Sequence, residues 1–184
     1  MSHHGKRKPA ADGKALELLR ADHQRVRTLF TEFDSLKGID DEDERKAELV
    51  DEICYELTLH TMLEEEIFYP VLRSAINDDD LMDEADVEHA GARELISQLE
   101  VMYPGDDHFD ATVSVLGEEV GHHIAKEEGE MFEAARRAGI DFERLGEQLA
   151  ARREELEEDL SSPAGTIDAM EPHDGARRAP RPPN

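Results

Sequence analysis

Two pairs of histidine and glutamate lie four residues apart in the sequence, His60 with Glu64 and His123 with Glu127. Residues four apart share one face of an α-helix, so each pair directs an imidazole and a carboxylate toward one point. One further histidine lies well upstream of each pair. The full set of four histidines and two glutamates is His23, His60, Glu64, His89, His123 and Glu127. Residues of these types in two similar halves predict a site for two metal ions.

The segments that carry these residues have the apolar periodicity of amphipathic helices, and each histidine lies within an apolar stripe. We expect four such helices over residues 15–36, 42–75, 81–102 and 108–137, and a fifth, highly charged helix over residues 142–160. Four amphipathic helices with short connections predict an all-α, up-down-up-down four-helix bundle with an additional C-terminal helix.

The composition divides the chain into four parts. Residues 14–138 form the predicted bundle domain, and residues 139–160 an accessory helix that is expected to lean on it with a solvated outer face. Residues 1–13 and 161–184 are polar and interrupted by glycine and proline, which predicts disordered tails. Within the second helix, Pro70 predicts a kink just beyond the glutamate.

The net charge and the cysteine content limit which partners and which cellular compartment the sequence predicts. The formal net charge is −25, which makes nucleic acid and anionic membranes poor partners. Cys54 is the single cysteine, so no disulfide within the chain is possible, and this fits a reducing compartment. No apolar run reaches the length of a membrane span, and the first residues lack the apolar segment of a signal peptide. We therefore expect a cytoplasmic protein.

Two carboxylates that face a bundle core need compensation, because burying an unpaired charge costs several kcal/mol or more. No lysine or arginine lies on the stripes of Glu64 and Glu127 to pair with them. A bound metal satisfies them, and a metal-free network of hydrogen-bonded histidine and glutamate is the alternative. Imidazole with carboxylate suits iron, zinc, manganese or copper.

Six ligands are too many for one ordinary zinc ion, which takes four. They suit two ions, each held by two histidines, with both glutamates bridging. An oxo or hydroxo bridge would then leave each ion with a coordination position at which a small molecule binds.

This arrangement resembles the hemerythrin-like proteins, the HHE cation-binding domain, over about residues 15–137. The resemblance implies a four-helix bundle with a non-haem di-iron centre. It implies carriage, storage or sensing of O2, sensing of iron, or reactions with peroxide or NO. By the same resemblance, His23 and His60 hold one iron, and His89 and His123 hold the other.

One position departs from the family pattern. Oxygen-carrying members have a second histidine one turn after that of the third helix, and here that position is Arg93. A missing ligand weakens reversible O2 binding and favours redox reaction, unless a nearby oxygen donor replaces it. Besides water, the candidate donors that we consider are Glu56, Glu119, Tyr55, Tyr69 and Tyr103.

Three functions remain open from the sequence. The first is a module that binds or senses a small oxidant (O2, NO or hydrogen peroxide), and the second is a di-iron enzyme with catalase-like or NO-reducing activity. The third is an iron-binding or regulatory module that acts through a protein partner of the fifth helix and the tails. A ferritin-like site is disfavoured, because such sites carry Glu-x-x-His, whereas here the histidine comes first and the glutamate follows four residues later.

Overall fold

The structure is a computed structural model that describes residues 13–39 and 41–161. The regular elements of these residues are all helical, which confirms the predicted all-α class. The five helices are α1 (Lys14–Leu36), α2 (Asp43–Leu63, Glu64–Phe68 and Tyr69–Ala75 in continuous succession), α3 (Asp79–Leu99), α4 (Phe109–Lys126, Glu127–Met131 and Phe132–Ala138, likewise continuous) and α5 (Phe142–Ser161). The predicted disordered tails lie outside the described residues, apart from residues 13 and 161. Across the described ranges, no helix has the length and apolarity needed to cross a membrane.

The helix ends differ from the predicted ends by three residues at most, and the largest differences are in α3. This helix starts at Asp79 because Asp78 caps it, accepting a hydrogen bond from the Leu81 backbone N–H at 3.2 Å. It ends at Leu99, where the sequence predicted residue 102. The bundle topology is unaffected by these shifts.

A π-helical turn interrupts each of the two long helices, and each turn starts at one of the two glutamates. The turns span Glu64–Phe68 in α2 and Glu127–Met131 in α4. Their backbone bonds link residues five apart, as from the Tyr69 N–H to the Glu64 carbonyl. Pro70 lies two residues after the end of the first turn, whereas no proline lies in or next to the second turn. A π turn thus precedes the proline in α2, and proline alone does not account for the pair.

Two apolar clusters form the core, and the polar site lies between them along each helix of the bundle. On α1, Leu19 belongs to the first cluster and Val26 to the second, with His23 between them. On α4, Ile124 belongs to the second cluster and Met131 to the first, with Glu127 between them. The histidines and glutamates thus form one polar layer across an otherwise apolar interior.

The fifth helix packs against α1 through an apolar face. Leu145, Leu149 and Leu156 are buried in the cluster that contains the first turns of α1. The two helices approach so closely that a Cβ on Gly146 would lie 2.6 Å from the Ala15 backbone nitrogen. The fifth helix therefore belongs to the core, and only its outer face is solvated.

We expect Gly146→Ala to destabilise the protein, because the added methyl group meets α1 backbone atoms that cannot move independently. The loss in free energy of unfolding should be about 1–3 kcal/mol, as for other overpacked sites. Gly121→Ala is the matched control, since a Cβ there meets nothing within 4 Å, and it should stabilise α4 by about 0.5–1 kcal/mol. Urea denaturation of both variants measures the two changes, and equal effects would contradict the close approach of α5.

Candidate metal centre

All six residues singled out in the sequence are buried and converge in the polar layer. They form two groups whose ligand atoms lie within 4.8 Å of one another. The first group contains His23, His60, Glu64 and Glu127, and the second contains Glu64, His89 and His123. Glu64 belongs to both groups, and neither glutamate has any solvent exposure.

The two carboxylate oxygens of Glu64 face different groups. Its Oε1 lies 3.1 Å from His60 Nε2, whereas its Oε2 lies 3.3 Å from His89 Nε2. The His89 and His123 Nε2 atoms lie 3.2 Å apart. Donor atoms bound to one ion at about 2.0–2.2 Å lie about 3.0–3.4 Å from each other, so these spacings suit metal coordination.

Several buried polar atoms at the centre have no hydrogen-bond partner. They include His23 Nε2, His60 Nε2 and both carboxylate oxygens of Glu127. His23 Nε2 lies only 3.0 Å from Glu127 Oε2, yet the two do not form a hydrogen bond. Buried polar groups without partners are rare and costly. A cation between these donors would satisfy them, so the residues present fit a metal site.

In the metal-free cluster, the pKa of each group depends on its burial and on the charges of its neighbours. Burial opposes the imidazolium of His60, but the carboxylates of Glu64 and Asp22 outweigh it and raise the pKa of His60 well above its ordinary value. Burial likewise opposes the charge of His123, yet the neighbouring glutamates raise its pKa to about 9. Burial and the charge of Glu64 both raise the pKa of Glu127. The metal-free cluster therefore holds protons tightly, and metal has to displace them.

The outer nitrogen, Nδ1, of each histidine faces a carboxylate. The four pairs are His23–Glu128 (2.9 Å), His89–Glu65 (3.1 Å), His123–Glu88 (2.8 Å) and His60–Asp22 (3.5 Å). A cation contacts each of these carboxylates in turn. The cations are Arg27 at Glu128, Arg93 at Glu65, Lys126 at Glu88 and Arg153 at Asp22. Such outer partners orient imidazole ligands and raise their basicity.

Arg93 occupies the position at which the family pattern has a histidine. Its guanidinium contacts Glu65, and Glu65 contacts His89 Nδ1. Arg93 therefore supports a ligand from outside and does not reach the centre itself.

Of the oxygen donors considered from the sequence, Tyr69 is the one that the structure brings to the centre. Its hydroxyl lies 3.2 Å from His89 Nε2, 3.3 Å from His123 Nε2 and 3.3 Å from Glu64 Oε2. Burial, then the charge of Glu64, raises the pKa of this hydroxyl well above its ordinary value. In the metal-free protein the tyrosine is thus held neutral among the donors of the second group, and a metal ion would have to displace its proton to bind the oxygen.

The other four candidate donors lie outside both groups. Glu56 pairs with Arg25 at 3.5 Å, and Glu119 is exposed at the side of a small cavity. Tyr55 and Tyr103 are exposed large side chains on the surface.

An aromatic layer closes the centre on the Tyr69 side. Phe132 stacks on His23 at 6.1 Å, and Tyr69 stacks on His89 at 5.3 Å. Phe68 lies between these two rings, 5.9 Å from each. All three rings are buried, so water has no direct route to the centre from this side.

A small cavity lies against the four histidines. Its volume is about 20 Å³, counted over the positions of a water-sized sphere's centre, and its apolar walls include Val26, Leu57, Ala92, Val120 and Ile124. A volume of about 10–15 Å³ on this measure holds one water molecule, so the cavity has room for one or two heavy atoms. Glu88 and Glu119 supply carboxylates to its lining.

Sequence reasoning found the six central residues and missed the carboxylates behind the histidines. Two of these, Glu65 and Glu128, directly follow the central glutamates in the sequence, so their signal is a repeated Glu-Glu pair. Asp22 and Glu88 directly precede His23 and His89. The sequence signal for Asp22 and Glu88 is thus an acid that directly precedes a histidine, although in the structure they face His60 and His123.

Comparison with known proteins gives three similarities. Residues 14–135 match the model of the family described as hemerythrin HHE cation binding domain. A DNA nickase of Nostoc sp. is 30% identical over 120 residues, which are 65% of this chain and 33% of that protein. The chain thus spans about a third of this relative. The crystal structure of a hemerythrin HHE cation binding domain-containing protein from Mycobacterium kansasii superposes with a TM-score of 0.67 at 24% identity, covering 84% of this chain and 97% of the other. This last similarity supports the fold.

Proposed function

Because the chain belongs to the hemerythrin HHE cation binding domain family and is a metal-binding protein of that kind, we propose that it binds two iron ions and that this pair binds a small oxidant. His23 and His60 hold one ion, and His89 and His123 hold the other. Glu64 bridges the two ions, since its two oxygens face the two groups. Glu127 completes the site next to His23.

The donor set favours iron. Four imidazoles and two carboxylates mix nitrogen and oxygen ligands without any thiolate, which suits iron better than soft-ligand copper or structural zinc. Iron in such a site supplies redox chemistry toward O2, NO or peroxide. The carboxylates behind His23, His89 and His123 keep the Nδ1 of these three imidazoles in its donor form, so their Nε2 atoms remain free to ligate.

The observation that carries the choice of ligand is the cavity against the four histidines. Its volume of about 20 Å³ has room for O2, NO or hydrogen peroxide beside the histidines. Its apolar walls favour an uncharged molecule over an anion. The aromatic layer on the opposite side restricts access to this cavity.

A redox enzyme is the second candidate, and the two carboxylates at the cavity favour it. Glu88 and Glu119 line the space where an oxidant would bind, so they are placed to take up or deliver protons during turnover. Carriage or sensing needs no such groups. Repeated turnover of peroxide or NO would establish the enzyme, and a reversible oxygenated spectrum would establish the carrier.

The nicking activity named for the Nostoc protein is not part of this proposal. The present chain has a net charge of −25, which disfavours contact with a phosphate backbone. The domain division that we propose keeps residues 14–138 as the metal-binding bundle.

Iron content per chain, measured with the optical spectrum after anaerobic loading, tests the two-iron proposal. We expect two irons per chain in the full-length protein and loss of iron in His123→Ala. His122→Ala is the matched control, because this neighbouring histidine is exposed and outside both groups. One iron or none in the full-length protein would overturn the proposal and leave a buried hydrogen-bonded network as the explanation.

We expect Tyr69→Phe to change the second metal position without unfolding the protein. The hydroxyl lies among the donors of His89, His123 and Glu64, so we propose that it ligates as a phenolate. The variant should keep two irons, bind one of them roughly tenfold more weakly, and lose visible phenolate-to-iron absorption. Tyr103→Phe is the control at an exposed tyrosine. An unchanged spectrum in Tyr69→Phe would exclude ligation by this residue.

A further inference from the structure

The fifth helix contacts the metal centre as well as the core. Two adjacent arginines of α5, both partly exposed, reach different parts of the bundle. Arg152 pairs with Glu66 in the first π turn at 2.6 Å, and Arg153 pairs with Asp22 on α1. Arg153 lies between Leu149 and Leu156, which anchor the helix in the core. Its position relative to Asp22 is therefore fixed by packing.

Asp22 differs from the other three carboxylates that face the histidines. It is the most buried of them, with a side chain 12% exposed against 25% for Glu88 and Glu128. It is also the one whose cation comes from outside the four-helix bundle. Arg27, Arg93 and Lys126 belong to α1, α3 and α4, whereas Arg153 belongs to α5.

We propose that Arg153 is a positioning residue for His60, and that α5 is thereby a working part of the metal centre. The guanidinium holds Asp22 Oδ2, and the same oxygen lies 3.5 Å from His60 Nδ1. This distance is the longest of the four histidine–carboxylate contacts, and His60 Nδ1 has no hydrogen-bond partner. Asp22 therefore acts on the ring mainly through its charge, and the guanidinium of Arg153 keeps that charge in place. The inference rests on the proposed two-metal function and concerns only the ion held by His23 and His60.

Loss of Arg153 leaves Asp22 as a mostly buried carboxylate without its cation. Asp22 then turns toward solvent, and His60 Nδ1 loses the carboxylate that lies beside it. Outer partners of this kind contribute about 10- to 100-fold to metal affinity. The second ion, held by His89 and His123, has its own supports in Glu65 and Glu88 and should be unaffected.

Titration of the metal-free full-length protein with Co²⁺, followed by absorption, tests this proposal without any assay of activity. The wild type should bind two Co²⁺ ions. In Arg153→Gln, one ion should bind about tenfold more weakly while the other keeps its affinity. Asp22→Asn should have the same effect, and the double variant should be no weaker than either single variant, because both changes remove one connection. Arg153→Lys, which keeps the charge, should recover part of the affinity.

Arg152→Gln is the matched control, since it removes the same charge from the adjacent position of α5 and breaks a surface ion pair with Glu66. It should leave both affinities unchanged. Equal weakening of both ions in Arg153→Gln, or the same weakening in Arg152→Gln, would overturn the proposal and leave α5 as a packing element. Unchanged or tighter binding in Arg153→Gln would also overturn it. A wild type that binds no Co²⁺ would instead refute the two-metal function on which the proposal rests.

Discussion

Replacement of Glu64 by glutamine is expected to abolish tight binding of both metal ions, whereas replacement of Glu127 should weaken one. Glu64 belongs to both groups of ligands, and each of its oxygens faces one of them. Glutamine keeps the volume but removes the charge and turns one oxygen into an amide that cannot ligate. Each ion thus loses charge compensation, and one loses a donor. We expect each affinity to fall by roughly 100-fold or more in Glu64→Gln.

Glu127 belongs to the first group, with His23 and His60. Glu127→Gln should therefore affect that ion while the ion at His89 and His123 remains. Metal content after dialysis, together with Co²⁺ titration of the metal-free proteins, measures both changes. Glu130→Gln is the control for loss of charge at an exposed position within the second π turn. If Glu64→Gln kept one ion at full affinity, the shared carboxylate would not bridge.

The bundle and the six central residues could be predicted because both depend on regular helical periodicity. A histidine and a glutamate four residues apart project from one face of any α-helix, and an apolar stripe shows which face is buried. His60 with Glu64 and His123 with Glu127 satisfy both conditions. The prediction of these residues does not depend on where the helices end. An error of three residues at the end of α3 therefore left it unchanged.

The sequence placed Tyr69 among five candidate donors but could not single it out, because its position depends on a departure from α-helical periodicity. Residues of an α-helix turn by about 100° each, which leaves a residue five positions on far from the face of Glu64. The π turn accommodates one extra residue, so Tyr69 takes the direction that the fourth residue would have. The apolar periodicity of the sequence does not predict this π turn.

The two π turns also reveal an asymmetry between the halves. Tyr69 lies five residues after Glu64, and Phe132 lies five residues after Glu127. The two rings stack on His89 and His23, respectively, so they occupy corresponding positions. One half of the centre therefore has a hydroxyl where the other has none, so the two groups of candidate ligands have different surroundings. This correspondence also explains why Tyr69→Phe should fold.

In the metal-free protein, the free energy of unfolding should fall as the pH rises from about 6.5 to about 9. In the metal-free protein, the pKa of His123 is raised to about 9 and that of His60 is also raised, because the surrounding carboxylates outweigh the effect of burial. A histidine with a raised pKa in the folded state stabilises that state fully below its ordinary pKa of 6.5. This stabilisation is lost as the pH passes through the raised value. For His123 the loss is on the order of 3 kcal/mol.

The metal-loaded protein should not show this decline. Bound metal replaces the protons of the cluster, so the ligands no longer titrate between pH 6.5 and 9, and protons compete for them only in acid. The stabilisation that metal provides should therefore grow with pH across this range. Urea denaturation of the loaded and metal-free proteins at pH 6.5, 7.5, 8.5 and 9.5 measures the difference.

His123→Ala, compared in its metal-free form with His122→Ala, assigns the decline to the centre. The first variant should show a smaller decline, because it removes one of the two histidines with a raised pKa and leaves His60 in place. The second removes an exposed histidine outside both groups and should retain the decline. A metal-free wild type whose stability stays constant up to pH 9.5 would show that His60 and His123 do not hold protons against the carboxylates. The charge coupling inferred for the centre would then be wrong.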